Sequence, residues 1–217
     1  ETLANLGAYV SSLGPGSATT APTPAMGGLY DIPAMTMDVR CVFTNTVPID
    51  AYRGAGKPEA NYLIERLVDE AAHRLRIDPA VLRRRNLIRR FPYRKPFGAV
   101  LDDGDFRGNL DRVLAAADRA GFRRRRAESL RRGKLRGFGI GCFLETSRGA
   151  PDEDAWLSFR PDGGIAMAVG TQSNGQGHET SFAQLLSREL GLPVACFQLV
   201  QGDTARVPSG GGHGGAR

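Results

Sequence analysis

The stretch Gly175-Gln176-Gly177-His178-Glu179-Thr180 stands between an apolar segment ending near Gly170 and a helical pattern carrying Phe182, Leu185, Leu186 and Leu190. A strand that runs through glycines into a helix N-terminus makes an anion trap. The first helical turn leaves N–H groups without intrahelical partners and carries the positive end of the helix dipole, so an oxyanion is stabilised there. Glycines at that turn let a ligand approach the backbone closely. The alternation of strand and helix on either side sets the expected class as α+β, mixed α/β.

Working outward, Ala155–Arg160 and Ile165–Gly170 flank Pro161-Asp162-Gly163-Gly164, a hairpin turn. The helix after the glycine loop stops at Gly191-Leu192-Pro193, and a strand over 194–201 follows. That strand delivers Gly202-Asp203-Thr204 and the loop Ser209-Gly210-Gly211-Gly212-His213-Gly214-Gly215. Upstream, Leu135 to Thr146 reads as a strand with Gly137, Gly139 and Gly141 on one face, which lets a neighbour pack against the backbone.

The first half begins with a turn-rich strand and loop region over 1–33 and a half-buried strand within Met35–Val47. Asp50-Ala51-Tyr52-Arg53-Gly54-Ala55-Gly56-Lys57-Pro58-Glu59 then joins strand to helix. The helix that follows puts Ala60, Leu63, Ile64, Leu67, Val68, Ala71, Ala72 and Leu75 on one stripe, with Pro58 in its first turn. Asp78-Pro79 opens another helix with Asp78 as N-cap, Val81, Leu82 and Leu87 inward and Arg83 to Arg85 largely outward. A third helix spans about 109–120, with Leu110, Val113, Leu114 and Ala117 as its apolar face. The arginine-rich segment Arg123–Lys134 changes composition sharply and suggests a boundary, giving regions 1–130 and 131–217.

With 217 residues, 41% of them hydrophobic, the chain can bury a core. The three cysteines, Cys41, Cys142 and Cys196, form no Cys-x-x-Cys pair, which suggests a reducing, cytoplasmic setting and no zinc or iron–sulfur site. No apolar run approaches the roughly 20 residues that cross a bilayer, so no membrane contact is expected. The net charge of +6 comes from arginine clusters. Interspersed acids and few aromatics make them solvated faces rather than a nucleic-acid surface, although a basic nucleic-acid-binding protein stands as one alternative reading. The chain starts at Glu1 and stops at Arg217 inside a glycine loop, as a piece of a longer protein would.

Three glycine-punctuated loops, around Gly54, around Gly175 and over 209–217, could converge as donors for a ligand with several oxyanions, or be unrelated surface turns. Arg53 reads either as an anion or carbonyl contact or as a surface arginine. His178 reads as a ligand contact or as a helix-start residue. Gln176, between two glycines, suits recognition of a polar group without added charge. Glu145 reads as a buried carboxylate or, more simply, as a structural strand-end residue. No nucleophilic triad, metalloprotease motif or lysine-bearing phosphate loop is present.

Taken in order, these strings resemble the molybdopterin-binding large subunit of the xanthine dehydrogenase and aldehyde oxidase family, in particular its carbon monoxide dehydrogenase-like branch. Ala51-Tyr52-Arg53-Gly54-Ala55-Gly56 resembles that branch's second-form active-site loop. Gly175 to Thr180 through Gln184 resembles a pterin-binding segment, and Gly202-Asp203-Thr204 with Pro208, Gly210 and Gly214-Gly215-Ala216-Arg217 resembles the next cofactor loop. The resemblance implies a molybdenum–molybdopterin cofactor, commonly its cytosine dinucleotide form. It places Tyr52, Gly54, Ala55, Gly175, Gln176, Gly177, His178, Thr180, Gly214, Ala216 and Arg217 around the cofactor, with Gln176 near the metal's oxygen ligands, Arg53 as a substrate or metal-site contact and no direct protein ligand to the metal. It further implies oxidation of aldehydes or N-heterocycles with water as oxygen source, and electron exit through an iron–sulfur subunit and an FAD subunit.

Gly54 stands where the branch's copper-binding enzymes carry cysteine, so no copper is expected. Ala55 stands where the xanthine-oxidising branch carries a stacking aromatic, and Lys57 replaces the arginine usual at the end of the loop. The family's catalytic glutamate motif and an upstream glycine loop do not occur in these residues. The resemblance therefore implies a cofactor-binding portion that does not hydroxylate by itself, against the alternative of a non-catalytic remnant or interaction module of the same fold.

Overall fold

The computed structural model of the chain describes residues 1–145, 148–149, 153–211 and 213–214. They form helices and small sheets in two compact units, Glu1–Thr146 and Ser147–Arg217. The expected α+β class is what the structure shows.

In the first unit, β1 (Thr2–Gly7) pairs in parallel with β2 (Val39–Phe43), from Thr2 opposite Val39 to Gly7 opposite Phe43. Between them lies a five-residue helix, α1 (Gly14–Ala18), as short as its Gly-Pro-Gly sequence allows. The chain then enters α2 (Lys57–Leu75) and α3 (Pro79–Asn86). Asp78 caps α3 as its sequence predicts, its carboxylate accepting from the N–H groups of Ala80 at 2.8 Å and Val81 at 3.2 Å. A two-residue ribbon of β3 (Tyr93–Arg94) and β4 (Val100–Leu101) precedes α4 (Phe106–Ala116) and α5 (Phe122–Arg131). Leu29, Tyr30, Ala80, Leu87, Leu110, Leu114 and Leu144 form the buried core of this unit. Burying such side chains stabilises by about 1.5–3 kcal/mol each.

Four expectations change here. Leu63, Leu67 and Leu75 of α2 are exposed, whereas Lys57, Asn61 and Glu65 are buried, so the helix is rotated from the orientation its leucines suggest. Arg83, expected outward, has no exposed surface. The segment 135–145 is extended but joins no sheet. Its backbone is held by side chains instead, and Leu144 packs into the core of the first unit. The arginine-rich change of composition at 123–134 falls on α5 and the turn after it, within that same unit, because Arg125 folds back on Asp118 and Arg136 on Ser129.

In the second unit, β5 (Arg148–Gly149) pairs with β9 (His213–Gly214). β6 (Ala155–Phe159) and β7 (Ile165–Val169) form an antiparallel hairpin. Its turn is the predicted one: Gly163 adopts φ +83°, the Arg160 N–H donates to Gly164 O at 2.8 Å, and the Gly164 N–H donates to Asp162 at 2.9 Å. Then α6 (His178–Leu190) crosses over, a short 3-10 helix (Val194–Cys196) follows, and β8 (Phe197–Val200) returns parallel to β7. The sheet order is β6-β7-β8, so β7, α6 and β8 make one βαβ unit with Ile165, Met167 and Val169 buried.

Candidate cofactor-binding site

In a βαβ unit the loops leaving the carboxyl ends of parallel strands lie together, and ligands bind in the crevice they leave. Here β7 exits into Gly170–Gly177 and β8 exits into Gln201–Gly211, so two of the three glycine loops are brought to one edge of the second unit. Gln201 ties them: its Oε1 accepts from the Ser173 N–H at 3.1 Å and its Nε2 donates to Glu179 Oε1 at 3.1 Å. Gly170 and Gly210 meet backbone to backbone, since a Cβ added to Gly170 would lie 2.3 Å from Gly210 Cα. Glu153 closes the same contact, one oxygen accepting from the Gly211 N–H at 3.1 Å and the other buried without a partner among the described residues.

Gly175 and Gly177 have φ of +104° and +76°, which L side chains avoid, and the space a Cβ would occupy is open at both. Gly177 is the N-cap of α6 and supplies no capping side chain, so the first-turn donors of a thirteen-residue helix are not taken up by one. Glu179 in that turn complements the dipole. Gln176 does not project freely: its carbonyl oxygen accepts from the Asn174 N–H and its amide donates to Gln172 O at 3.3 Å, bracing the loop. His178 is buried and stacked on Phe182 with ring centroids 4.7 Å apart, and its Nδ1 has no partner among the described residues. Thr180 is exposed, with its N–H donating to Gly177 O at 3.1 Å. The backbone of Gly214 lies in β9, while Ala216 and Arg217 lie outside the described residues.

The third loop belongs to the first unit. Tyr52 is 87% exposed and Arg53 is exposed, while Gly54 and Ala55 are half-buried. The loop is a pair of tight turns in which the Ala55 N–H donates to Tyr52 O at 2.7 Å and the Lys57 N–H to Gly54 O at 3.0 Å. Gly54 needs φ +98°. Gly56, at φ +80°, lies against Ala21 and Pro22, where a Cβ would come within 2.5 Å of the Pro22 nitrogen. Lys57 turns inward, and its ammonium lies 3.6 Å from Glu145.

Sequence reading noted Lys57 only as a departure in the loop, and did not single out Gln201, Glu153 or the buried polar stripe that Lys57 forms with Asn61 and Glu65 of α2. Only the stripe left a signal, its period of four. The residues present fit an anionic cofactor with a polar ring system: open glycine turns at Gly175 and Gly177, an uncapped helix start and amide groups, with the Glu153 carboxylate turned to Gly211 instead. No group of three or more metal-ligating side chains occurs among the described residues.

Comparison with known proteins supplies the class that this arrangement belongs to, the molybdopterin-binding large subunits. Two molybdopterin cofactor-binding domain families match residues 1–87 and 112–217. The nicotine 6-hydroxylase large subunit of Paenarthrobacter nicotinovorans is 34% identical over 92% of this chain, and the carbon monoxide dehydrogenase large chain of Hydrogenophaga pseudoflava is 37% identical over 88%. Among solved structures, quinoline 2-oxidoreductase from Pseudomonas putida 86 superposes with a TM-score of 0.84 at 28% identity, covering 97% of this chain and 28% of that one. The chain belongs to the molybdopterin-binding large-subunit family of the xanthine dehydrogenases, aldehyde oxidoreductases and carbon monoxide dehydrogenases. It spans 26% of the length of each of the first two relatives.

Proposed function

We propose that this chain forms part of the cofactor cage of a molybdenum hydroxylase acting on an aldehyde or an N-heterocycle, with the cofactor in its cytosine dinucleotide form. The observation that supports this most is the meeting of the Gly170–Gly177 and Gln201–Gly211 loops beside the uncapped start of α6. In this reading the backbone N–H groups of the turn from Gly175 to Glu179 hold anionic oxygens, His178 contributes its N–H rather than its buried ring, and exposed Thr180, whose N–H is taken by Gly177 O, offers its hydroxyl. Gln176 keeps the loop in shape while offering a neutral amide to polar groups of the cofactor, and Gly214 of β9 is proposed to lie along the same edge. In the first unit, Tyr52, Arg53, Gly54 and Ala55 are proposed as cofactor and substrate contacts in their own right, with the Arg53 guanidinium available to a carbonyl or anionic substrate group. When bound, the cofactor supplies two-electron oxidation with oxygen drawn from water.

Gly54 has no side chain and stands at φ +98°, so this loop offers no thiolate for copper. The nicotine 6-hydroxylase relative carries its substrate class in its name, which favours an N-heterocycle. Iron–sulfur and FAD subunits are the partners proposed to take the electrons, since relatives are named as subunits of larger complexes. The 217 residues on their own are proposed not to turn over. Turnover of an N-heterocycle by the holoenzyme in 18O-labelled water tests the reading. Label in the product is the expected result, and label arriving only from dioxygen would overturn it.

A further inference from the structure

The buried polar residues of α2 recur every fourth position: Lys57, Asn61 and Glu65, with half-buried Asp69 next in line. Four helical residues rise about 6 Å, close to the roughly 6.6 Å spanned by two extended residues. The segment 140–145 runs antiparallel to α2 at this matching pitch. Arg83, held by Glu65 and Asp69 at 2.8 Å each, donates to Ile140 O at 3.0 Å. Glu65 accepts from the Cys142 N–H at 2.9 Å. Asn61 brackets Leu144, accepting from its N–H at 2.8 Å and donating to its O at 3.0 Å. The last rung is Lys57 with Glu145.

That rung has a different neighbour from the others. Lys57 is the residue at which the Tyr52–Gly56 turns become helix, and its own N–H closes the second turn on Gly54 O. Its side chain is only 4% exposed, so its charge is compensated inside the protein rather than by solvent. A buried ammonium fixed at this point limits how the two turns can pivot about the start of α2, and Gly56 pressed on Ala21 and Pro22 limits them from the other side.

We propose that Lys57 and Glu145 are positioning residues that set the placement of the Tyr52–Gly56 loop for turnover, with the side-chain ladder of α2 as the rigid frame. This rests on the reading of that loop as a wall of the reaction site. The residue touching substrate is elsewhere in the loop; Lys57 acts through it.

The test uses the molybdenum-loaded holoenzyme carrying K57M, K57R or E145Q. Two quantities are read: amide hydrogen exchange in the 52–58 peptide, and kcat per bound molybdenum. Exchange at Ala55 and Lys57 rises about tenfold in K57M and E145Q but stays near wild type in K57R. In parallel kcat per molybdenum falls about tenfold to a hundredfold, the scale set by a misplacement of about 1 Å, and K57R restores it. E145Q keeps the question answerable if K57M does not fold, since Glu145 is 30% exposed. Unchanged exchange in E145Q overturns the proposal at the tether and leaves the reading of the loop intact. Faster exchange with unchanged kcat per molybdenum overturns it at the loop, and with it the placement of that loop at the reaction site.

Discussion

Single residues of this chain take positions that their type alone would not suggest. Arg83 is wholly buried and satisfied by Glu65, Asp69 and Ile140 O, while Tyr30 donates to the second Glu65 oxygen at 2.5 Å. Burial alone would lower the guanidinium pKa, but the bonds to Glu65 and Asp69 outweigh it and raise it; burial and the bond to Glu65 also raise that of the Tyr30 hydroxyl. Removing the arginine leaves two carboxylates without their counter-charge, so R83A is expected to cost about 3–5 kcal/mol in chemical unfolding. A loss below ~1 kcal/mol would contradict the network. Lys95 is the opposite case, a buried amine that donates to the carbonyls of Pro24 and Gly28, at 3.1 and 3.0 Å. Burial lowers its pKa from 10.5 to about 8. The unfolded chain therefore binds the proton more tightly, so the contribution of Lys95 to stability rises as pH climbs from about 8 to 10.5. Unfolding free energies of wild type minus K95M, measured across that window, are expected to increase with pH; a flat difference would refute the assignment.

At the scale of elements, α2 substitutes for a missing strand. Asn61 alone satisfies both backbone groups of Leu144, so N61A exposes two buried groups to loss of about 1–3 kcal/mol each and should speed amide exchange at Leu144. N61D, which keeps an acceptor for the Leu144 N–H but no donor for its carbonyl, should recover only part. Gly170 makes the analogous demand in the second unit: G170A places a Cβ against Glu153 and Gly210, an overpacking of about 1–3 kcal/mol that should push the Ser209–Gly211 loop away and lower bound cofactor. These elements also show what the sequence could reveal. The turn at Pro161–Gly164, the Asp78 cap and the glycine stop of α6 rest on local chemistry and were legible. The partner of 135–145 was not, because alternation reports an extended backbone but not whether a strand or a helix satisfies it. The rotation of α2 was hidden for a related reason: its leucines outweigh a stripe of Lys57, Asn61 and Glu65 in any hydrophobic pattern, although only the stripe has partners to pair with.

Across the whole molecule, the three glycine loops, which the sequence left open as convergent or unrelated, divide between two compact units. Arginines of the basic runs take carboxylates of their own chain, Arg84 with Asp111 and Arg125 with Asp118, and Arg119 pairs with Asp78. Large apolar side chains remain uncovered in the first unit, among them Leu135 at 94% and Val47 at 83% exposure. No helix is long and apolar enough among the described residues to cross a membrane. What the glycine motifs made legible was the ligand class; how the Gly170–Gly177 and Gln201–Gly211 loops interlock through Gln201 and Glu153 depended on contacts between residues 28 and 58 positions apart. The central claim is that this edge holds a molybdenum–pterin cofactor. Molybdenum and pterin should be quantified together in the purified holoenzyme and in a variant with Gly175→Val and Gly177→Val, whose side chains would need φ values that valine does not adopt. The account predicts stoichiometric metal and pterin in the parent and loss of both in the variant; a parent without either, or a variant that keeps both in full, would contradict it.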